Sequence, residues 1–178
     1  MIIIESFDEL EKILFLYRKQ INADYIGYKN HCIRLLNFLN YLRPIENEDR
    51  EKLIIATAFH DIGLWTHNTL DYLPPSILEV KKYLTSIGRT EWIEEISIII
   101  DMHHKITPYH GKYKLVELFR KADLVDFSLG SIRYSIPSNY ISAVKKTFTN
   151  SGFHKMLLIK TLKWVPRHLH RPMPIIKW

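Results

Sequence analysis

Residues 58 to 63 read Ala-Phe-His-Asp-Ile-Gly, so His60 and Asp61 stand side by side after an apolar run. Neutral imidazole and carboxylate are good donors to divalent Mn, Zn, Fe, Co, Ni or Mg. Two adjacent donors cannot close a coordination sphere, so partners must come from other parts of the chain. Three segments offer them. His31 lies in HCIRLL, the pair His103 and His104 ends ISIIIDMHH, and Asp123 interrupts the apolar helix pattern of FRKADLVD. A carboxylate on such a face is costly to bury unless something charged meets it. A metal ion would serve, and so would a plain salt bridge from Arg120 or Lys121. A histidine closing a helix is also favoured by the helix dipole alone.

The elements that must position these groups read as helices. Apolar residues recur at helical spacing, and strict alternation is almost absent. Ser6 and Glu9 form a capping-box pattern that predicts the first helix start. A second helix spans residues 24–43, with Ile33, Leu36, Leu39 and Cys32 inward and Pro44 ending it. A third runs from Asn47 towards Gly63, which the pattern places as its C-terminal cap. A loop precedes Pro75, where a further helix starts and runs to Gly88. Thr90 is the expected N-cap of the helix ending at His103 and His104. Three more helical segments follow, and the proline-containing tail reads as extended. These expectations amount to one all-α domain over residues 1–178, a bundle of seven or eight helices, with residues 128–178 supplying C-terminal helices and a basic tail.

Charge and composition narrow the partners. The formal net charge of +6 attracts nucleic acid, phosphorylated small molecules or anionic membrane without choosing among them. The single cysteine, Cys32, permits no intramolecular disulfide and fits a reducing compartment. The start MIIIESFDEL lacks a secretory pattern, and no apolar stretch approaches the ~20 residues that span a bilayer. A cytoplasmic location without membrane contact is expected. The tail carries Trp164, His168, His170 and Trp178 among basic residues. It is expected to strap across the bundle rather than bind nucleic acid.

The order His31, His60–Asp61, Asp123 resembles the H…HD…D signature of the HD-domain superfamily of metal-dependent phosphohydrolases. HCIRLL carries the arginine three residues after the first histidine that many members show. ATAFHDIG is close to their apolar-HD-x-G string, RKADLVD to their R-x-AD-x-x-D ending, and IIIDMHH to their isoleucine-rich helix ending in histidine. The resemblance spans residues 28–127. It implies a helical bundle around a divalent metal held by His31, His60, Asp61 and Asp123. In two-metal members Asp61 would bridge, and His103 and His104 would hold the second ion.

Two departures qualify this picture. VKKYLTSIGRTEW lacks the extra histidine usual in the two-metal branch, and ITPYHG stands where GYP is common. One metal is therefore expected rather than two, with neither His67 nor His110 as a substitute. Leu64 occupies the position where some nucleotidase-like members keep a glutamate for proton transfer, and some oxygenase members a histidine. An acid would then come from His103, His104 or Asp126. The reaction implied is hydrolysis of a phosphate ester, of a nucleotide or other small metabolite, by metal-activated water. Asp61, His103 and His104 would be catalytic, and Lys105, Arg120 and Lys121 would hold an anionic substrate. Two alternatives stand beside it: cyanamide-hydratase-like chemistry, which also lacks that glutamate, and a non-catalytic metal- or nucleotide-binding signalling module.

Overall fold

A computed structural model describes residues 2–177. Eight helices of nine residues or more are present among them: α1 (Asp8–Leu16), α2 (Tyr25–Leu42), α3 (Asn47–Phe59), α4 (Leu73–Ser86), α5 (Ile93–Met102), α6 (Lys114–Phe127), α7 (Ser138–Thr147) and α8 (Phe153–Trp164). Two four-residue helical turns, Arg18–Ile21 and Gly63–Thr66, link them. No strand forms among the described residues, only one isolated bridge between Lys105 and Lys177. No helix of the structure is long and apolar enough to cross a membrane.

The centre is built by α2, α3, α5 and α6, which pack on one another. α2 is buried along most of its length because residues 31–39 face neighbours on several sides, so it reads as apolar almost all round. It ends at Leu42, two residues before Pro44. α4 ends at Ser86, and Gly88 then takes a left-handed φ of 71°.

Three local expectations give way to packing. The capping box does not form. Phe7 is the N-cap of α1, without a side-chain cap bond, because its ring is drawn into the core. Thr90 opens a short 3-10 turn, Thr90–Trp92, and α5 starts after it. Gly63 is not a C-terminal cap either. It begins the helical turn after α3, where a Cβ would stand 2.3 Å from the Tyr72 carbonyl oxygen. Its N–H donates to Ser76 Oγ at 2.9 Å. Glycine there lets the chain after His60–Asp61 press against the start of α4.

The tail does return to the bundle. Ile175 joins Leu64, Leu70, Tyr72 and Leu73 in a small apolar cluster, and the Ile106 N–H donates to the Lys177 carbonyl at 2.8 Å. Trp164 and His168 stack on each other with centroids 3.5 Å apart. Trp178 lies outside the described residues.

Candidate metal centre

His60 and His103 are set by the same local device. Each follows the last residue of a helix, α3 or α5. Each donates its Nδ1–H to the carbonyl three residues back: His60 to Thr57 at 2.8 Å, His103 to Ile100 at 2.7 Å. That fixes the tautomer and turns Nε2, with its lone pair, towards the middle of the bundle. The helix C-termini add negative potential there. His31, in the middle of α2, is fixed differently. Its Nδ1–H donates to Asp126 Oδ2 at 2.7 Å, and its ring stacks on Phe153 at 4.4 Å between centroids.

These orientations create a conflict that a cation resolves. His31 Nε2 and His60 Nε2 face each other at 2.9 Å. Burial pushes the His31 imidazolium down to about 4, against the pull of Asp126. At neutral pH His31 Nε2 therefore presents a lone pair, and the Nδ1–H bond to Thr57 leaves the Nε2 lone pair of a neutral His60 ring facing it. Such a contact is repulsive on its own and suits two donors to one ion, since metal–ligand bonds of about 2.0–2.2 Å put adjacent donors roughly 3 Å apart.

The carboxylates complete the set. Asp61 Oδ2 lies 3.2 Å from His60 Nε2 and 3.9 Å from His31 Nε2. Asp123 Oδ1 lies 3.6 Å from His31 Nε2 and 3.9 Å from His60 Nε2. His31, His60 and Asp61 lie close enough together to hold one ion, and Asp123 stands beside them, nearest to the two imidazole nitrogens. All four are buried.

A second group shares Asp61. Asp61 Oδ1 and His103 Nε2 are buried 3.6 Å apart, and neither has a hydrogen-bond partner. Buried polar atoms without partners are uncommon and costly. His104 Nδ1 stands 4.0 Å from the other oxygen of Asp123. Asp61, His103 and His104 are thus the residues that would hold a second ion, although the intervening segment lacks a histidine. His67 and His110 are exposed and belong to neither group.

Charge balance points the same way. Burial, reinforced by Asp61 and Asp126 and opposed by His103, pushes the Asp123 carboxyl up to about 7. A metal ion must then displace the Asp123 proton, whereas His31 is already neutral. Metal binding is expected to release protons around neutrality, with apparent affinity falling about tenfold for each pH unit below 7. Calorimetric titration of chelator-treated protein with Mn²⁺ from pH 5.5 to 8 measures this. A flat affinity across that range contradicts the assignment.

Asp126 is not a free acid. Arg34 donates Nε to Asp126 Oδ1 at 2.6 Å and Nη2 to Oδ2 at 2.7 Å, and His31 takes the rest of the carboxylate. Burial would raise the Asp126 carboxyl, but Arg34 and His31 outweigh it and hold it far below the ordinary range. Arg34 Nη1 also reaches the Phe148 and Thr149 carbonyls. Asp126 therefore orients His31. The signal was visible in sequence, since Arg34 lies three residues after His31 and Asp126 three after Asp123.

The cations expected to hold substrate are placed otherwise. Arg120 is buried, with Nε and Nη2 on Glu117 at 2.8 and 2.7 Å and Nη1 on the Lys105 carbonyl at 3.1 Å. It pins the segment after His104 instead. Lys121 pairs with Glu117 at 3.6 Å and lies over the Tyr134 ring. Lys105 alone of the three lines the cavity that reaches His103, His104 and Asp123. A residue with no sequence signal also enters. The Tyr72 hydroxyl hydrogen-bonds His104 Nε2 at 2.6 Å. Burial pushes its phenol well above the ordinary value, with Asp61 adding to the shift.

No curated protein and no solved structure matches the chain. The family model for the HD domain matches residues 28–127, more than half of the chain and the whole span from Tyr28 through the donors to Phe127. The chain therefore belongs to the HD domain family.

Proposed function

We propose that this protein is a metal-dependent hydrolase that cleaves the phosphate ester of a small metabolite. The observation that carries the reading is the division of Asp61. One of its oxygens faces His31 and His60, and the other faces His103 with no hydrogen-bond partner. The HD domain family is generally one of metal-dependent hydrolases, which supports the reading. When bound, a divalent cation supplies Lewis-acid polarisation of the phosphoryl group and a more acidic water.

The chain's own residues do the rest. His31, held by Asp126 and Phe153, cannot swing away from the centre, and neither can His60 or His103, held by backbone carbonyls. In the reaction water adds to phosphorus, the ester P–O bond breaks, and the leaving oxygen takes a proton. Leu64 is fully buried against apolar neighbours and brings no acid. Burial, with His103 adding to it, pushes the His104 imidazolium well below its ordinary value, so His104 is neutral at pH 7. The hydrogen-bonded pair of His104 and Tyr72 is the group placed to move that proton.

Turnover of a panel of phosphomonoesters, with Mn, Co, Ni, Zn, Fe or Mg supplied in turn, tests the reading. Cyanamide in the same panel tests nitrile-type hydration on this scaffold. Binding without turnover on every compound would favour a signalling module instead. Tyr72→Phe is expected to lower kcat about 10- to 100-fold and to shift the pH–rate profile while leaving the ion at His31, His60 and Asp61 in place. An unaltered profile would remove Tyr72 from the proton path.

A further inference from the structure

Two cavities reach the donors. A small one of about 50 Å³ lies over His31, Asp61, Tyr72, His104 and Asp123, enough for a few waters. A larger one of about 260 Å³ adjoins it and touches His103, His104 and Asp123. The two share His104, Asp123, Phe127, Met173 and Ile175, so they meet at the metal donors.

Away from the donors, the larger cavity is walled by Leu124, Phe127, Ile132, Met173, Ile175 and Ile176, with Lys105 beside them. Most of that wall lies outside the HD match: Ile132 and residues 173–176 belong to the C-terminal part. The wall is fixed in place. Ile175 is buried among Leu64, Leu70, Tyr72 and Leu73, and the tail is tied to the segment after His104 by the Ile106–Lys177 hydrogen bond and an ion pair between Lys177 and Asp101. Phe127, Ile132 and Met173 remain partly exposed at its mouth. A large apolar mouth opening on polar donors is a ligand-site arrangement rather than ordinary surface.

We propose that the substrate carries a compact apolar body, held between the end of α6 and tail residues 173–176, with its hydrolysable head at Asp61, His104 and Asp123. This rests on the hydrolase reading for the head and deepens it for the body. A nucleoside would bring many hydroxyls and base edges against a wall that offers only Lys105 beside the donors, at a cost for each buried group left unpaired. An alkyl or aryl group buries its surface there without that cost. Leu64 has a place in this scheme, since it belongs to the apolar cluster that holds Ile175, a tail residue lining the cavity.

The test uses Mn²⁺-loaded full-length protein and calorimetric binding of paired probes. Acetohydroxamate and hexanohydroxamate have a metal-binding head that does not depend on phosphate chemistry. Methylphosphonate, hexylphosphonate and AMP form the second arm. In the wild type the hexyl probes are expected to bind at least about tenfold tighter than their one- or two-carbon counterparts. Met173→Asp should erase most of that difference at unchanged metal content, and Ile132→Asp is the second variant should the first fail to fold. Equal affinity for short and long probes overturns the inference. So does a chain-length advantage that survives both variants, tighter binding of AMP than of hexylphosphonate, or no hydroxamate binding. A hydroxamate advantage with no phosphonate binding supports the apolar site and removes the phosphate-ester reading.

Discussion

Replacing Arg34 by Met is expected to cost about 3–5 kcal/mol of folding stability, because it strands a buried carboxylate. Arg34 and Asp126 are both buried, and the guanidinium meets the carboxylate with two short hydrogen bonds. Without it, Asp126 keeps only His31. Urea unfolding in the presence of chelator measures the cost free of metal effects. The pH dependence has a defined sign. Asp126 is held low in the native protein, so its pairing contributes stability above the ordinary carboxylate range, and the contribution is lost as pH falls through the acid range. The gap between wild type and R34M should therefore narrow below about pH 4. Adding Asp126→Leu to R34M should recover most of the stability, since an apolar pair of similar size often replaces a buried ion pair without loss. It should not recover metal affinity. His31 loses the acceptor that fixes its tautomer, and such losses typically cost about 10- to 100-fold in metal binding. Stability and metal affinity lost and regained together would contradict the separate roles given to Arg34 and Asp126.

Asp61→Ala should have the opposite signature. It is expected to lower kcat/KM by about 10³-fold or more, the equivalent of several kcal/mol of lost charge stabilisation. Yet the chelator-treated variant should unfold near the wild-type temperature, because the desolvation cost of the buried Asp61 is offset by the attraction of its carboxylate to His60 and His103. Asp61 Oδ1 is buried without a hydrogen-bond partner, and removing such a group relieves a desolvation cost. In excess Mn²⁺ the wild type should gain in Tm and D61A should not, because only the state that binds the ion is stabilised by it. An Asp61 kept for packing or for a salt bridge would give a variant that is less stable without metal. Thermal scans with and without Mn²⁺ separate the two cases.

How far this site could be read from sequence varies by residue and for physical reasons. His31, His60, Asp61 and Asp123 were legible because metal donors are few in kind and their helical context is periodic. A carboxylate inside the apolar pattern of α6 asks for a partner before any fold is known. The orientation of His60 and His103 came only with the structure, although chain position accounts for it, as each closes a helix and bonds the carbonyl three residues back. Arg34 and Asp126 were visible separately, but their pairing spans 92 residues of sequence and depends on how α2 lies on α6. Arg120 and Lys121 were read as substrate cations from proximity to Asp123. Helical geometry instead puts Glu117 three and four residues before them, and Arg120 turns to it. Tyr72 was illegible. A tyrosine before two prolines has no chemical signature, and its hydroxyl reaches His104 where the chain presses close at Gly63. The return of the tail to the site depends likewise on single long-range contacts. Leu64 drew notice as an absent acid, while its place in one apolar cluster with Ile175 emerged only with the fold.

A metal centre formed by the two histidine-bearing helix ends, His31 and the two aspartates is tested most directly by metal stoichiometry. Wild-type protein and D61A, both purified without chelator and dialysed against one Mn²⁺-containing buffer, are compared by elemental analysis per chain. At least one tightly held ion per wild-type chain, and a small fraction of that in D61A, is the predicted result. Equal and negligible metal in both proteins would contradict the account.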